Sequence, residues 1–174
     1  VLCIIAVVIA IVYFLNNITS TSYNDYSSNQ NTTQEQQTPQ SAQSQNVTHE
    51  EFCYQDGTIA FYWTGNLNDG LPDGFGLIEY PTNDPDKRYE YRGKVVKGNR
   101  VDTNATLSYR NGNSYTGSFE NDNFSNGKLV LKNDGVYFQG TFKNNNPYNG
   151  TWYYTSDNSV YSKVVKGVEE EWDL

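Results

Sequence analysis

The chain has 174 residues, a mass of 19.8 kDa and a formal net charge of −8, from 12 Lys and Arg against 20 Asp and Glu. A sequence pI near 4.5 excludes a sequence-independent nucleic-acid binder, which needs a basic surface to neutralise phosphates. One His and two Cys leave little for a zinc site or a disulfide scaffold, and we expect no metal and no cofactor.

Residues 1–15 form an apolar segment without a charge. As a helix it would span about 22 Å, which is short of the roughly 30 Å hydrocarbon core of a membrane. Two interpretations fit: the hydrophobic region of a cleaved signal peptide, or a transmembrane anchor whose first part precedes Val1. No clear cleavage site follows, so we favour the anchor. A buried core helix fits less well, because the segment is apolar on all sides and has no amphipathic partner helix.

The basic residues predict the orientation of this anchor. All 12 Lys and Arg lie at or after Lys87, so the flank that follows the apolar segment has none. Cytoplasmic flanks are usually rich in Lys and Arg. We therefore expect the C-terminal domain to lie outside the cytoplasm, at the cell surface or in the envelope.

Residues 16–48 form a predicted linker. Asn, Gln, Ser and Thr account for 25 of its 33 residues. Such a segment cannot bury enough apolar surface to offset its chain entropy, so we expect it to be disordered. This leaves 49–174 as the folded domain.

The domain contains a repeated pattern, aromatic-x-Gly-x-apolar. Its copies are spaced by 28, 24, 23 and 23 residues, and a loop insertion at 83–87 lengthens the first gap. The copies begin at Trp63, Tyr91, Tyr115, Phe138 and Tyr161. The first four have their glycine at Gly65, Gly93, Gly117 and Gly140, and the fifth has Lys163 there.

A second β-type run follows each of the first four copies, as in Gly150-Thr151-Trp152 after the fourth. Two short runs joined by turn residues predict a β-hairpin unit. We expect turns at four pairs of residues that tolerate positive φ: Asn111-Gly112, Asn126-Gly127, Asp134-Gly135 and Asn149-Gly150.

Strand alternation places Tyr115, Gly117 and Phe119 on one face of the sheet. Stacked hairpins then align an aromatic column and a second apolar column on that face, with the glycines between them so that rings lie flat. The aromatic column is Trp63, Tyr91, Tyr115, Phe138 and Tyr161; the second column is Leu67, Val95, Phe119, Phe142 and Val165. The predicted fold is all-β, an elongated antiparallel sheet of stacked hairpins.

The pattern over 61–167 resembles the MORN (membrane occupation and recognition nexus) repeat, which runs Tyr-x-Gly-x-Phe or Trp, a turn, then Gly-x-Gly-x-x-x-aromatic. Residues 115–135 and 138–157 match it best. Asn104 and Thr106 depart from the second glycine pair, and Lys163 departs from the last copy. The resemblance implies a hairpin sheet used for protein association, in some members for membrane-lipid contact, and no catalysis by the repeats.

Few other residues suggest chemistry. His49 lies at the predicted linker boundary and is interpreted as a solvated residue. The oxygen-rich segments 69–74 and 83–86 lack the spacing of an EF-hand, so we interpret them as turns rather than calcium sites. Glu79, Glu90 and Glu120 are carboxylates on or beside repeat strands, and nothing in the sequence selects a catalytic pair from them.

The excess of aromatic residues is the main functional signal. Five tyrosines lie outside the columns and are the candidate binding face: Tyr62, Tyr89, Tyr137, Tyr153 and Tyr154. Exposed tyrosines favour protein recognition and stacking on sugars. The alternative is that a single-layer sheet simply exposes some rings.

The leading hypothesis is a membrane-tethered, extracytoplasmic MORN-repeat module that binds a protein or an envelope glycan without catalysis. Three alternatives remain: lipid binding by the repeats, a cell-envelope hydrolase, and self-association through the sheet edge. A net charge of −6 over 49–174, from 12 basic and 18 acidic residues, disfavours anionic lipids.

Overall fold

The computed structural model describes residues 44–170. The predicted anchor 1–15, linker residues 16–43 and residues 171–174 lie outside this range. The described residues form one antiparallel sheet whose strands pair in chain order, except that β5 pairs only with β4, so that β6 follows β4 in the sheet. The strands are β1 (Gln45–Cys53), β2 (Ile59–Asn68), β3 (Leu71–Glu79), β4 (Arg88–Val96), β5 (Asn99–Arg100), β6 (Asp102–Tyr109), β7 (Ser114–Glu120), β8 (Asn123–Leu131), β9 (Val136–Lys143), β10 (Asn146–Tyr154), β11 (Val160–Val165) and β12 (Val168–Glu170).

The sheet begins before the predicted domain boundary. β1 starts at Gln45 and pairs with β2, so 45–48 belong to the sheet rather than to the linker. The physical reason is Val47, an isolated apolar residue in a polar segment, which packs against the buried core. The predicted all-β sheet of antiparallel hairpins is confirmed, and the described range contains no helix that could cross a membrane.

The aromatic column is confirmed for its first four members. Trp63, Tyr91, Tyr115 and Phe138 are completely buried, each at the same position of its hairpin. The second strand of the hairpin contributes an alternating residue to the same row: Ile78, Leu107, Leu129 and Trp152. Val95, Phe119 and Phe142 of the second column are buried beside them. We call this side of the sheet the core face and the opposite side the outer face.

Glycines lie beneath these rings, as predicted. Gly140 and Gly150 are paired across β9 and β10, and Gly117 and Gly127 across β7 and β8. A Cβ atom at Gly150 would lie 2.5 Å from Cζ of Phe138, so the ring occupies the space of a side chain. In the second hairpin Ala105 occupies this row, opposite Gly117. The row therefore passes between Asn104 and Thr106, the two positions at which the repeat lacks its expected glycines.

The polar end of each buried ring has a partner on its own strand. The Tyr91 and Tyr115 hydroxyls donate to the backbone carbonyls of Lys94 and Ser118, at 2.7 and 2.8 Å. Nε1 of Trp63 likewise donates to the backbone carbonyl of Asn66, three residues further along the strand, at 3.0 Å. A ring that lies flat along its strand therefore satisfies its own donor, and this anchors the column.

The fifth copy of the repeat is shifted by one residue from its prediction. Ser162 and Val164, rather than Tyr161 and Val165, continue the core face. The cause is a bulge where β11 pairs with β10 at Tyr153. Because the side-chain period of a strand is two, a shift of one residue exchanges the faces. Val165 is therefore exposed on the outer face, Tyr161 is exposed as the extra residue of the bulge, and the buried Ser162 hydroxyl donates to the Glu169 carboxylate.

The turns also differ from the prediction. Gly112 and Gly135 have positive φ in turns, as expected. Asn126-Gly127 and Asn149-Gly150 instead lie inside β8 and β10, because those glycines are required under the rings. Five two-residue turns with positive φ at both positions close the hairpins: 69–70, 97–98, 121–122, 144–145 and 166–167.

Hydrogen bonds connect these turns to the neighbouring hairpins along one end of the strands. The Arg100 backbone N–H donates to the Asp122 carboxylate in the next turn, at 3.0 Å. The Phe124 N–H likewise donates to the Asn145 side-chain oxygen, at 2.8 Å. An acidic or amide residue at the second turn position thus satisfies a backbone donor of the preceding hairpin.

The turns at 97–98 and 166–167 have glycine, rather than an acidic or amide residue, at the second position. The neighbouring hairpin explains why. Pro72 and Pro147 occupy the position of Arg100 after their own turns, and proline has no N–H to satisfy. The next turns end in Gly98 and Gly167, whose backbone N–H groups donate to carbonyls of the preceding hairpin at 2.8 Å. The turn sequence of one hairpin is therefore matched to the strand sequence of its neighbour.

Candidate outer-face binding site

The register of the sheet aligns ten outer-face residues in one row, with one residue from each paired strand from β2 to β12 except the short β5. We call this the outer row. Its members are Thr64, Leu77, Arg92, Thr106, Thr116, Lys128, Gln139, Thr151, Lys163 and Glu170. Most of them are exposed or half-exposed side chains that carry a hydroxyl, an amide or a charge. No described residue covers this row with a second layer, because all described strands belong to one sheet.

The middle of the outer row consists of hydrogen-bonding groups on paired strands of the sheet. The Thr106 and Thr116 hydroxyl oxygens are 3.2 Å apart across β6 and β7. Lys128 and Gln139 are the next cross-strand pair, and Thr151 follows on β10. Regular strand pairing spaces these groups by about 4.8 Å.

An aromatic pair borders the row on β9 and β10. The rings of Tyr137 and Tyr153 are stacked with centroids 5.1 Å apart. Nζ of Lys128 lies 3.7 Å from the centroid of the Tyr137 ring. The Tyr137 hydroxyl donates to the Asn158 side chain at 3.1 Å. Tyr137 is consequently only 8% exposed, and Tyr153 is the ring that a ligand can reach.

The other candidate tyrosines do not join this pair. Tyr62 lies on the outer face of β2, where its ring stacks on His49 at 4.1 Å. Tyr89 lies at a bulge in β4 beside the Arg110 guanidinium. Tyr154 follows Tyr153 directly and so points to the core face, where it contacts Tyr161. The five tyrosines therefore do not form one continuous surface.

His49 is part of the sheet rather than of a solvated linker. It has a φ of 55° at a bulge in β1, and its Nδ1 lies 3.2 Å from the Glu79 carboxylate. Its backbone N–H donates to the Thr64 hydroxyl at 2.9 Å. The sequence did not indicate this, because the bulge that directs His49 toward Tyr62 depends on tertiary pairing.

Two of the carboxylates considered for catalysis are directly opposite one another. Glu79 and Glu90 pair across β3 and β4. Like charges at this position are unfavourable. Each has a cationic or titratable neighbour: both Glu90 oxygens accept from Arg92 at 2.9 Å, and Glu79 contacts His49. Glu79 and Glu90 thus belong to a cluster of charged and polar side chains on the surface of the sheet, together with Arg92 and His49.

The loop insertion predicted at 83–87 is confirmed as irregular structure. Asp84 is buried in it, and its carboxylate accepts three hydrogen bonds from Arg88 at 2.7–3.1 Å. Burial raises the pKa of Asp84, but the hydrogen bonds and charge of Arg88 outweigh it and hold the pKa below its usual value. The Arg88 guanidinium also lies 4.1 Å from the Tyr80 ring centroid. The Asp84 oxygens are thus used within the loop, and residues 44–170 contain no cluster of His, Cys, Asp or Glu suited to a metal.

The negative charge of the chain is unevenly distributed over the sheet. Residues 111–167 contain five Lys against four Asp and Glu, which is a net charge of +1. Within β7–β11, Glu120 at the end of β7 is the only carboxylate. Lys128 forms no ion pair with a described residue. The outer face therefore changes from acidic near β3–β4 to basic or neutral across β7–β11.

Sequence reasoning missed the outer row, although a signal for it was present. Its members on β2, β4, β7 and β9 occupy the middle position of the aromatic-x-Gly motif: Thr64, Arg92, Thr116 and Gln139. Strand alternation places that position opposite the buried ring. Comparison with family models and with curated proteins gave no match to this chain.

Proposed function

We propose that this chain is a membrane-tethered, extracytoplasmic binding or scaffold module of MORN-type hairpins, which holds a protein or an envelope glycan on its outer face. The observation that carries the proposal is the outer row with its bordering Tyr153: polar, aromatic and cationic groups aligned on an uncovered face. The core face is used to hold the fold, so the outer face is the surface that remains for recognition.

The proposal for the repeat family rests on the hairpin unit. The first, third and fourth units each place an aromatic ring over a cross-strand glycine pair and close with a two-residue turn, which agrees with the hairpin sheet that the resemblance implies. The tether and its orientation rest on the apolar segment 1–15 and on the absence of Lys and Arg before Lys87. No catalytic step is proposed, because Glu79 and Glu90 are engaged in surface contacts.

Tyr153→Ser tests the outer face as the binding surface. We expect capture of envelope polysaccharide or of surface proteins by the tagged full-length chain to weaken by at least about tenfold, since an accessible tyrosine in an interface can carry much of its affinity. Tyr137→Ser is unsuitable as a test, because Tyr137 is buried between Lys128 and Tyr153.

Tyr154→Ser is the matched control, because it removes the same side chain from the adjacent position on the opposite face. It should leave capture unchanged, and both variants should unfold cooperatively. Loss of capture in Tyr154→Ser but not in Tyr153→Ser would place binding on the core face. Strong co-sedimentation of the unmodified chain with anionic liposomes, without capture of either partner, would instead support the lipid alternative.

A further inference from the structure

The outer row has the dimensions of a binding track for a linear polymer. From Thr106 on β6 to Thr151 on β10 the row crosses four strand spacings, which is about 19 Å. An extended chain that lies across the strands meets one side chain of the row at each strand.

The groups along the track suit a polymer of sugars. Threonine hydroxyls and the Gln139 amide both donate and accept hydrogen bonds, as sugar hydroxyls require. The Thr106 and Thr116 hydroxyls lie 3.2 Å apart, within hydrogen-bond distance of each other. Tyr153 borders the track with a ring that is held by stacking on Tyr137, and an aromatic ring can receive the apolar face of a sugar.

The charge of the track favours an anionic polysaccharide over a neutral one. Lys128 stands at the centre of the track, exposed and without a carboxylate partner among the described residues. No carboxylate of β7–β11 lies in the row, since Glu120 is at the end of its strand. Along this part of the row an anionic chain would therefore meet a cation and no like charge, while Glu120 lies on the same face outside the row.

A flat anionic membrane fits the same surface less well than a single chain. A lipid surface would also approach the acidic cluster of Glu79 and Glu90 on the same face, which opposes anionic headgroups. A linear polymer contacts the track alone. We propose that the outer row between β6 and β10 binds a linear polysaccharide that carries carboxylate or phosphate groups; this inference rests on the proposed outer-face binding function.

The test measures retardation of the full-length chain, in detergent micelles, by alginate or neutral dextran in native gels. Alginate is a linear polysaccharide with a carboxylate on each sugar. We expect retardation by alginate but not by dextran. Lys128→Gln should weaken alginate binding about tenfold, the loss expected for one charge-assisted hydrogen bond. Lys128→Arg should retain it.

Lys132→Gln is the matched control, since it removes the same charge from the β8–β9 turn, outside the track. It should weaken binding less than about twofold, as expected for a screened distant charge. The double variant Thr116→Val, Thr151→Val keeps the charge and β-branched shape but removes two hydroxyls, and it should also weaken binding.

Three results would overturn the inference: no retardation by alginate, equal weakening by Lys128→Gln and Lys132→Gln, or stronger Lys128-dependent binding to phosphatidylserine vesicles than to alginate. If alginate fails while Tyr153→Ser still abolishes capture of the native partner, the binding module stands and only the polysaccharide assignment falls. If the capture difference between Tyr153→Ser and Tyr154→Ser is also absent, both fall.

Discussion

Tyr115→Ala should lower the free energy of unfolding by about 3–5 kcal/mol, the range for removing a large aromatic ring from a core. Tyr115 is fully buried at the centre of the aromatic column. Its ring stacks on Phe124 at a centroid distance of 3.9 Å and meets Phe119 and Phe142 edge-on at 5.1 and 5.2 Å. All described strands belong to one sheet, so no described second layer could collapse into the cavity, and neighbouring hairpins would lose contact with each other.

Tyr115→Phe separates the ring from its hydroxyl. Burial raises the pKa of Tyr115 to about 12, so the phenol stays protonated at neutral pH and donates to the Ser118 carbonyl. Its loss should cost about 1 kcal/mol. The measurement is urea unfolding followed by tyrosine and tryptophan fluorescence.

Tyr161→Ala is the control for the register of the fifth hairpin. Tyr161 is 48% exposed, although its spacing in the sequence places it in the same column as Tyr115. Its removal should cost less than about 1 kcal/mol, as for most surface substitutions. A cost equal to that of Tyr115→Ala would mean that Tyr161, and not Ser162, continues the core face.

Gly150→Ala should destabilise the fold by about 2–3 kcal/mol, which is the upper range for overpacking a core. The added Cβ would lie 2.5 Å from Cζ of Phe138 and 2.8 Å from the Gly140 Cα, and it would also clash with the Gln139 carbonyl. Two of these three contacts are with backbone atoms, so a side-chain rotation cannot relieve them. The ring and the strand pair would have to separate.

Gly98→Asn is the matched control for glycine replacement. Gly98 has a φ of 82° in a two-residue turn, and nothing lies within 4 Å of its Cβ position. Asparagine tolerates this conformation, so the change should cost less than about 1 kcal/mol. Equal denaturation midpoints for Gly150→Ala and the unmodified chain would contradict the role of the glycine row.

The core face could be predicted from the sequence because one short motif fixes it. The aromatic-x-Gly-x-apolar copies place Trp63, Tyr91, Tyr115 and Phe138 on one face by alternation alone, and the structure confirms this. The fifth copy failed because a single bulge opposite Tyr153 shifts the register, and bulges depend on pairing rather than on local spacing.

Two of the four turn predictions failed for a related reason. Asn149-Gly150 has the composition of a hairpin turn, yet its glycine is needed beneath Phe138 in the middle of β10. Local sequence does not distinguish a glycine required by an overlying ring from one required by positive φ. The turns that close the hairpins instead include Asn144-Asn145 and Lys166-Gly167, which have the same conformation.

The candidate site was predictable only in part. Tyr153 was selected from its residue type, but the grouping of five tyrosines failed because adjacent residues such as Tyr153 and Tyr154 point to opposite faces. The pairing of Lys128 with Tyr137 is diagonal across β8 and β9, and it needs the register to be known. Nothing in the sequence alone indicates that contact.

The most direct test of the proposed tethered, extracytoplasmic module is protease accessibility of a C-terminal tag on intact cells or protoplasts. The account predicts that external protease removes the tag without lysis, while a cytoplasmic marker stays intact. Protection of the tag until the cells are lysed would contradict it, because the hairpin sheet would then face the cytoplasm and an envelope polysaccharide could not reach the outer row.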